Sequence, residues 1–109
     1  MKKELPECPV ETTLTLVSNK WVVLILRDLF TGTKRFGELK KSLTPISQKV
    51  LTQQLRAMES NGVVHREVYA EVPPRVEYSL TDLGLSLKPI VMSMQDWGNW
   101  YKKRVELEK

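Results

Sequence analysis

The side chains able to do chemistry in this 109-residue chain fall into two unequal sets. Nucleophiles and metal-ligand types are scarce: one cysteine, Cys8, and one histidine, His65, lie far apart in the sequence. A lone pair of that kind does not supply the cluster of ligands a metal needs. It also lacks the CxxC partner or adjacent base that would make a thiol enzyme. No catalytic residue, metal site or cofactor is therefore expected. The second set is concentrated. In the stretch ISQKVLTQQLRAMESNG, residues 46–62, Gln48, Lys49, Thr52, Gln53 and Arg56 fall within one arc of about 140° at helical spacing. Its only acid, Glu59, is near the far end. Gln and Arg pair bidentately with base edges, and the Thr methyl can meet a thymine methyl. These residue types on one face suit the reading of DNA, with Gln48, Thr52, Gln53 and Arg56 as base-reading candidates. By themselves they suit an ordinary solvated helix face equally well.

The elements that must hold this face follow from the rest of the stretch. Val50, Leu51, Leu55 and Met58 line its opposite side. Ser47 is placed to cap the N-terminus, Ile46 and Leu51 to staple it, and Gly62 to end it in the left-handed conformation. Upstream, Phe36, Leu39 and Leu43 predict a helix over 36–43, closed by Pro45. Two helices joined by so short a turn make a helix-turn-helix over about 36–61. The first then lies across the DNA backbone and the second enters the major groove.

After Gly62 the apolar period changes from about 3.6 to 2. Val64, Arg66 and Val68 alternate with His65, Glu67 and Tyr69; beyond Pro73-Pro74, Val76, Tyr78 and Leu80 alternate with Arg75, Glu77 and Ser79. This predicts a two-stranded hairpin over about 63–80, a wing, with Arg75 near its tip placed to reach a phosphate. His65 is read as a surface residue. Ahead of the helix-turn-helix, Pro9 opens a short helix ending near Ser18-Asn19. The run WVVLILRDLF, apolar nearly all round, predicts a central helix over about 20–30, with Trp21 in the core. The β-branched content of that run makes a strand the rival reading. Lys34 and Arg35 belong to an exposed loop. Residues 1–7 form a flexible arm, and 8–107 one domain.

Thr81-Asp82 caps the last predicted helix, about 82–106. Leu83, Leu87, Ile90, Met94, Trp97 and Tyr101 recur at spacings of four and three. Pro89, inside this pattern, should kink the helix or split it in two. The stripe carries more apolar surface than so short a chain easily hides, which marks a partner surface. A twofold homodimer is expected, with Leu14 on the first helix and Leu87, Ile90, Met94, Trp97 and Tyr101 on the last at its interface.

Net charge is +4, but its distribution is uneven. Residues 20–66 carry nine Lys/Arg against three Asp/Glu, while the segments on either side are each slightly acidic. The excess lies where phosphates would be met, the expected partner being double-stranded DNA. No apolar run approaches a membrane span, and residues 1–11 do not read as a leader. A soluble cytoplasmic protein is expected, without a membrane partner.

The segments CPVETTLTLVSNKWVVLILRDLF, KRFGELKKSLTPISQKVLTQQLRAMESNGVVHREVY and EVPPRVEYSLTDLG, taken together and in order, closely resemble the HxlR-type winged helix-turn-helix regulators, a branch of the MarR-like regulators of bacteria. The resemblance spans Cys8 to about Trp100. It implies a mainly α fold with a small β-hairpin, N- and C-terminal dimerisation helices, and a homodimeric transcription factor on a roughly palindromic operator. It also carries over the cysteine of the CPVE motif, here Cys8, which in several relatives senses oxidants, aldehydes or quinones. Cys8 has no second thiol in its chain, so any disulfide must be made with another subunit or a small thiol. A small oxidant or electrophile is thus a possible effector; the other reading of Cys8 is a small buried residue near the dimer seam.

Phosphates are expected to meet Lys34, Arg35, Lys49, the helix start at Ser47, and Arg75 of the wing. The alternative to a DNA reader is a winged-helix module that binds a protein partner, which the basic 20–66 segment disfavours.

Overall fold

The computed structural model describes residues 4–17 and 19–108. Residues 1–3 of the expected arm, and Ser18 at the expected end of the first helix, lie outside the described residues. Helix α1 (Pro9–Leu14) is shorter than expected, and residues 15–17 continue it as turns. The fold is built around α2 (Lys20–Leu29), the apolar run, which is a helix and not a strand. Asn19 caps it, its Oδ1 accepting from the Val22 N–H at 3.1 Å. Ile25 and Leu26 are fully buried, because every neighbouring element packs on this segment. Trp21 is partly buried against the core, with the Lys20 ammonium 4.5 Å from its ring centroid.

Lys34 and Arg35 form a short strand, β1 (Lys34–Arg35), and not an exposed loop. Helix α3 (Phe36–Ser42) follows directly, its start closed by the Glu38 carboxylate accepting from the Arg35 backbone N–H at 2.9 Å. Leu39 and Leu43 are buried, as is Ile46 in the turn. Ser47 then caps α4 (Gln48–Ser60), accepting from the Val50 N–H at 3.1 Å. Gly62, at φ 75°, ends the helix in the left-handed region that favours glycine.

Strands β2 (Val64–Tyr69) and β3 (Arg75–Leu80) make the expected hairpin. β1 adds antiparallel to the other edge of β3, so the sheet has three strands in the order β1-β3-β2 and is more than the hairpin expected. Two residues are too few for alternation to show. Only the pairing of Lys34 with Tyr78 and Arg35 with Glu77 makes this stretch a strand.

Thr81 ties the sheet to the end of α4. Its hydroxyl lies 2.6 Å from the Gly62 carbonyl oxygen and accepts from the Gly84 N–H at 3.1 Å, capping α5 (Asp82–Leu85). Gly84 is buried there, and a Cβ at this position would run into the Val63 carbonyl oxygen. Pro89 does split the terminal helix: α6 (Lys88–Leu107) begins anew with the proline in its first turn, where a missing N–H does no harm. Leu87 and Val91 are buried in the core and Met92 packs against it, while Met94, Trp97, Trp100 and Tyr101 further along α6 are exposed. The molecule measures 55 × 36 × 23 Å, with a radius of gyration of 16.0 Å. A compact chain of this length would have about 13 Å.

Candidate nucleic-acid interface

Helix α4 separates its two faces cleanly. Leu51, Leu55 and Met58 are buried against the body. Gln48, Lys49, Gln53 and Arg56 are exposed, and Thr52 is half-buried between them. Together these five line one shallow depression on the outer side. Among the described residues, none of the four exposed side chains makes a hydrogen bond or ion pair within the chain. By contrast, Gln54, one position on, faces sideways and accepts from the Asn19 side-chain amide at 3.2 Å. The sequence-predicted base-reading residues are thus brought together by one rigid element, with their donors and acceptors turned outward.

The expected phosphate contacts do not share one setting. Lys49 is on the α4 face, and the exposed Ser47 uses its oxygen as the helix cap. Arg35 is exposed opposite Glu77 of β3. Lys34 is half-buried opposite Tyr78 and lines a cleft with Asp28, Glu38 and Lys41, so carboxylates stand near its charge.

Arg75 differs from expectation. It does not reach outward from the wing but lies back along it. Its guanidinium is 4.2 Å from the Tyr69 ring centroid, 3.5 Å from a Glu71 carboxylate oxygen and 3.7 Å from one of Glu77. Two carboxylates and an aromatic face compete for this one cation, and the hairpin register sets Tyr69 directly opposite it. The outer face of the wing carries Glu67, Glu71 and Glu77 against Arg75, with His65 Nε2 2.8 Å from Glu67 Oε2. His65 is exposed, as read from the sequence.

Sequence reasoning passed over Arg66. It stands on the inward-alternating row of β2, between Val64 and Val68. A charge in an apolar row was the available signal. Its Nε is 3.5 Å from a Glu59 carboxylate oxygen at the end of α4. It lies opposite Tyr78, whose hydroxyl is pushed above its ordinary pKa by burial, against the pull of Arg66.

The apolar stripe is largely on the surface. Met94, Trp97 and Tyr101 are 44%, 61% and 49% exposed, Ile90 is 36%, and Leu14 on α1 is 49%. Trp97 stacks on Tyr101 with ring centroids 5.2 Å apart, so the aromatics cover one another in part. Leu87, expected on this stripe, is instead a core residue at 6% exposure, buried together with Val91. Cys8 is exposed at the start of α1. Among the described residues no helix is long and apolar enough to cross a membrane.

A helix-turn-helix with an outward polar second helix, followed by a sheet hairpin, defines a winged helix-turn-helix regulator. The family comparison narrows this. The profile of the HxlR-like helix-turn-helix family matches residues 16–106, and the chain belongs to that family. It is a transcriptional regulator of helix-turn-helix type, not an enzyme. Its relatives include the HTH-type transcriptional regulator YdeP of Bacillus subtilis (strain 168), 52% identical over 99 residues, covering 91% of this chain and 77% of that one. Among solved structures, the redox regulator HypR in its reduced form is 45% identical with a TM-score of 0.86, covering 91% of this chain and 98% of that one. Its oxidised form is 49% identical with a TM-score of 0.81, covering 84% and 95%. The reduced form of the transcriptional regulator YodB from B. subtilis is 37% identical with a TM-score of 0.74, covering 86% and 93%.

Proposed function

We propose that this regulator binds double-stranded DNA as a homodimer on a roughly palindromic operator. The observation that carries the reading is the outer face of α4, where Gln48, Lys49, Gln53 and Arg56 project from a helix whose back is locked into the core. Gln48, Thr52, Gln53 and Arg56 read base edges. Lys49, Arg35, Lys34 and the helix start at Ser47 neutralise or bond phosphates. Arg75, held within the wing, is left out of this set. Titration of promoter fragments against protein over a range of salt tests the reading; equal affinity for promoter and random duplex would overturn the assignment of base readers.

The homodimer is supported by the exposed row Ile90, Met94, Trp97, Tyr101 and by the long radius of gyration. Such a row would be covered by a twofold copy of itself. Two reading helices would then sit about 34–36 Å apart, one DNA turn. Sedimentation at micromolar concentration should give twice the chain mass, and a clean monomer removes this part.

The likeness to the reduced and oxidised forms of the redox regulator HypR favours a second element, a thiol switch at Cys8. Cys8 is exposed, as a sensor must be. Its oxidation to a disulfide with another thiol, or its alkylation by a quinone, would alter the spacing of the two reading helices. DNA binding by the wild type should respond to diamide or quinone and that of Cys8→Ser should not. An unchanged response in the variant ends the switch.

A further inference from the structure

Behind the reading face, α4 and the sheet enclose a cleft of about 220 Å³ lined by Thr52, Leu55, Arg56, Glu59, Arg66 and Tyr78. Its charge is cationic on balance, two guanidiniums against one carboxylate. Glu59 meets Arg66 at Nε, 3.5 Å away. The two terminal NH2 groups of the guanidinium, the edge that grips oxyanions, are not used by that contact. The hydroxyls of Thr52 and Tyr78 add donors, and burial of Tyr78 favours its protonated, donating form.

The position of the cleft identifies its ligand. Thr52 and Arg56 line both the cleft and the outer face of α4, so whatever lies on that face continues into the cleft. A helix with its side chains is about 10–12 Å across, and the major groove is about 12 Å wide. A helix in the groove therefore has a phosphate strand along each edge. The cleft is on the edge of α4 that faces the sheet.

We infer that this cleft takes one backbone phosphate of the bound duplex, gripped by Arg66, with Glu59 acting as the positioning residue that orients its guanidinium. The inference rests on the DNA-reading role of α4 proposed above. It makes Arg66 the phosphate anchor of the β2–β3 hairpin, in place of Arg75.

The test is affinity for operator and random duplexes across a salt series, with Arg66→Ala, Arg66→Lys and Glu59→Gln, each first checked by thermal unfolding. Arg66→Ala should weaken both duplexes alike and lower the salt slope by about one. Arg66→Lys, which keeps the charge without the fork, should hold the wild-type slope. Glu59→Gln keeps an acceptor for Nε and removes the one negative charge facing the phosphate, so it should tighten both duplexes by the same few-fold factor. A folded Arg66→Ala with the wild-type slope overturns the inference while leaving α4 as the reader. Absence of salt-dependent binding by the wild type removes the DNA reading itself and this site with it. One further arm replaces chloride by inorganic phosphate at constant ionic strength. A backbone site predicts equal responses from wild type and Arg66→Ala; selective displacement of DNA from the wild type would assign the cleft to a free anion and overturn the proposal.

Discussion

Helix α4 and the wing look alike in the sequence: each is amphipathic, each carries cations on its outer side, and each is a natural candidate for touching DNA. The structure treats them in opposite ways. On α4 the charged and amide side chains stand 3.6 residues per turn apart on a rigid cylinder with one acid, Glu59, near its end. Among the described residues Gln48, Lys49, Gln53 and Arg56 make no hydrogen bond or ion pair within the chain, while Gln54 at the side bonds Asn19 and Glu59 pairs with Arg66. On the wing, strand pairing sets side chains directly across from one another, and Glu67 and Glu77 share a face with Tyr69 and Arg75. Arg75 meets Glu77 two positions along its own strand, Glu71 in the adjoining turn and the Tyr69 ring across the pair, and these contacts satisfy its charge. A polar surface is available for a ligand only where the geometry denies it internal partners, and the wing gives Arg75 partners that the outer face of α4 does not give its own side chains.

This contrast can be broken at several points. The largest effect belongs to the buried back of α4. Leu51→Ala, at a position of 0% exposure, should lower unfolding free energy by about 2–5 kcal/mol in denaturant titration. Operator binding should fall only as far as the folded fraction does. On the front of the same helix, Gln53→Ala should leave stability unchanged and relax preference at particular base pairs by about 1–3 kcal/mol, read from binding to single-base operator variants. Equal losses on operator and random DNA would remove Gln53 from the reading set.

Smaller effects separate the wing from the helix. Arg75→Ala should cost about 1 kcal/mol of stability, from the lost contacts to Tyr69, Glu71 and Glu77. Its salt slope in DNA binding should match the wild type; a drop of about one would place Arg75 on a phosphate after all and erase the contrast. The smallest effect is on pH dependence. Tyr78 holds its proton more tightly folded than unfolded, because burial disfavours the phenolate. Above the unfolded value of 10.0 the unfolded chain loses this proton first, so stability present below that pH is lost as pH rises through the folded value. Tyr78→Phe should flatten this part of the alkaline decline in melting temperature, and an identical decline in both proteins would count against it.

The helix-turn-helix was legible because its signals are local. Ser47, Gly62 and the spacing of Leu51, Leu55 and Met58 act within a few residues, and the structure keeps cap, stop and buried face where they were read. The wing strands were legible for the same reason, through alternation over β2 and β3. Strand β1 was not, because two residues carry no period and pair with a segment more than forty positions on. Pro89 announces a break, but the spacing of the stripe does not show which of its residues the body covers, and Leu87 belongs to the core.

By itself, then, the sequence determined the order and type of the main elements, the polar face of α4 and the family, all of which follow from caps, periods and motifs that neighbouring residues express together. Tertiary structure alone decided which charges are available. Lys34, Arg35, Arg66 and Arg75 are similar cations in the chain, yet one stands among carboxylates in a cleft, one is exposed at a sheet edge, one is oriented by Glu59 beneath α4, and one is clasped within the wing. The physical reason is that a charge acts on whatever is nearest in space, and what is nearest is set by how helices, strands and turns pack and not by residue type.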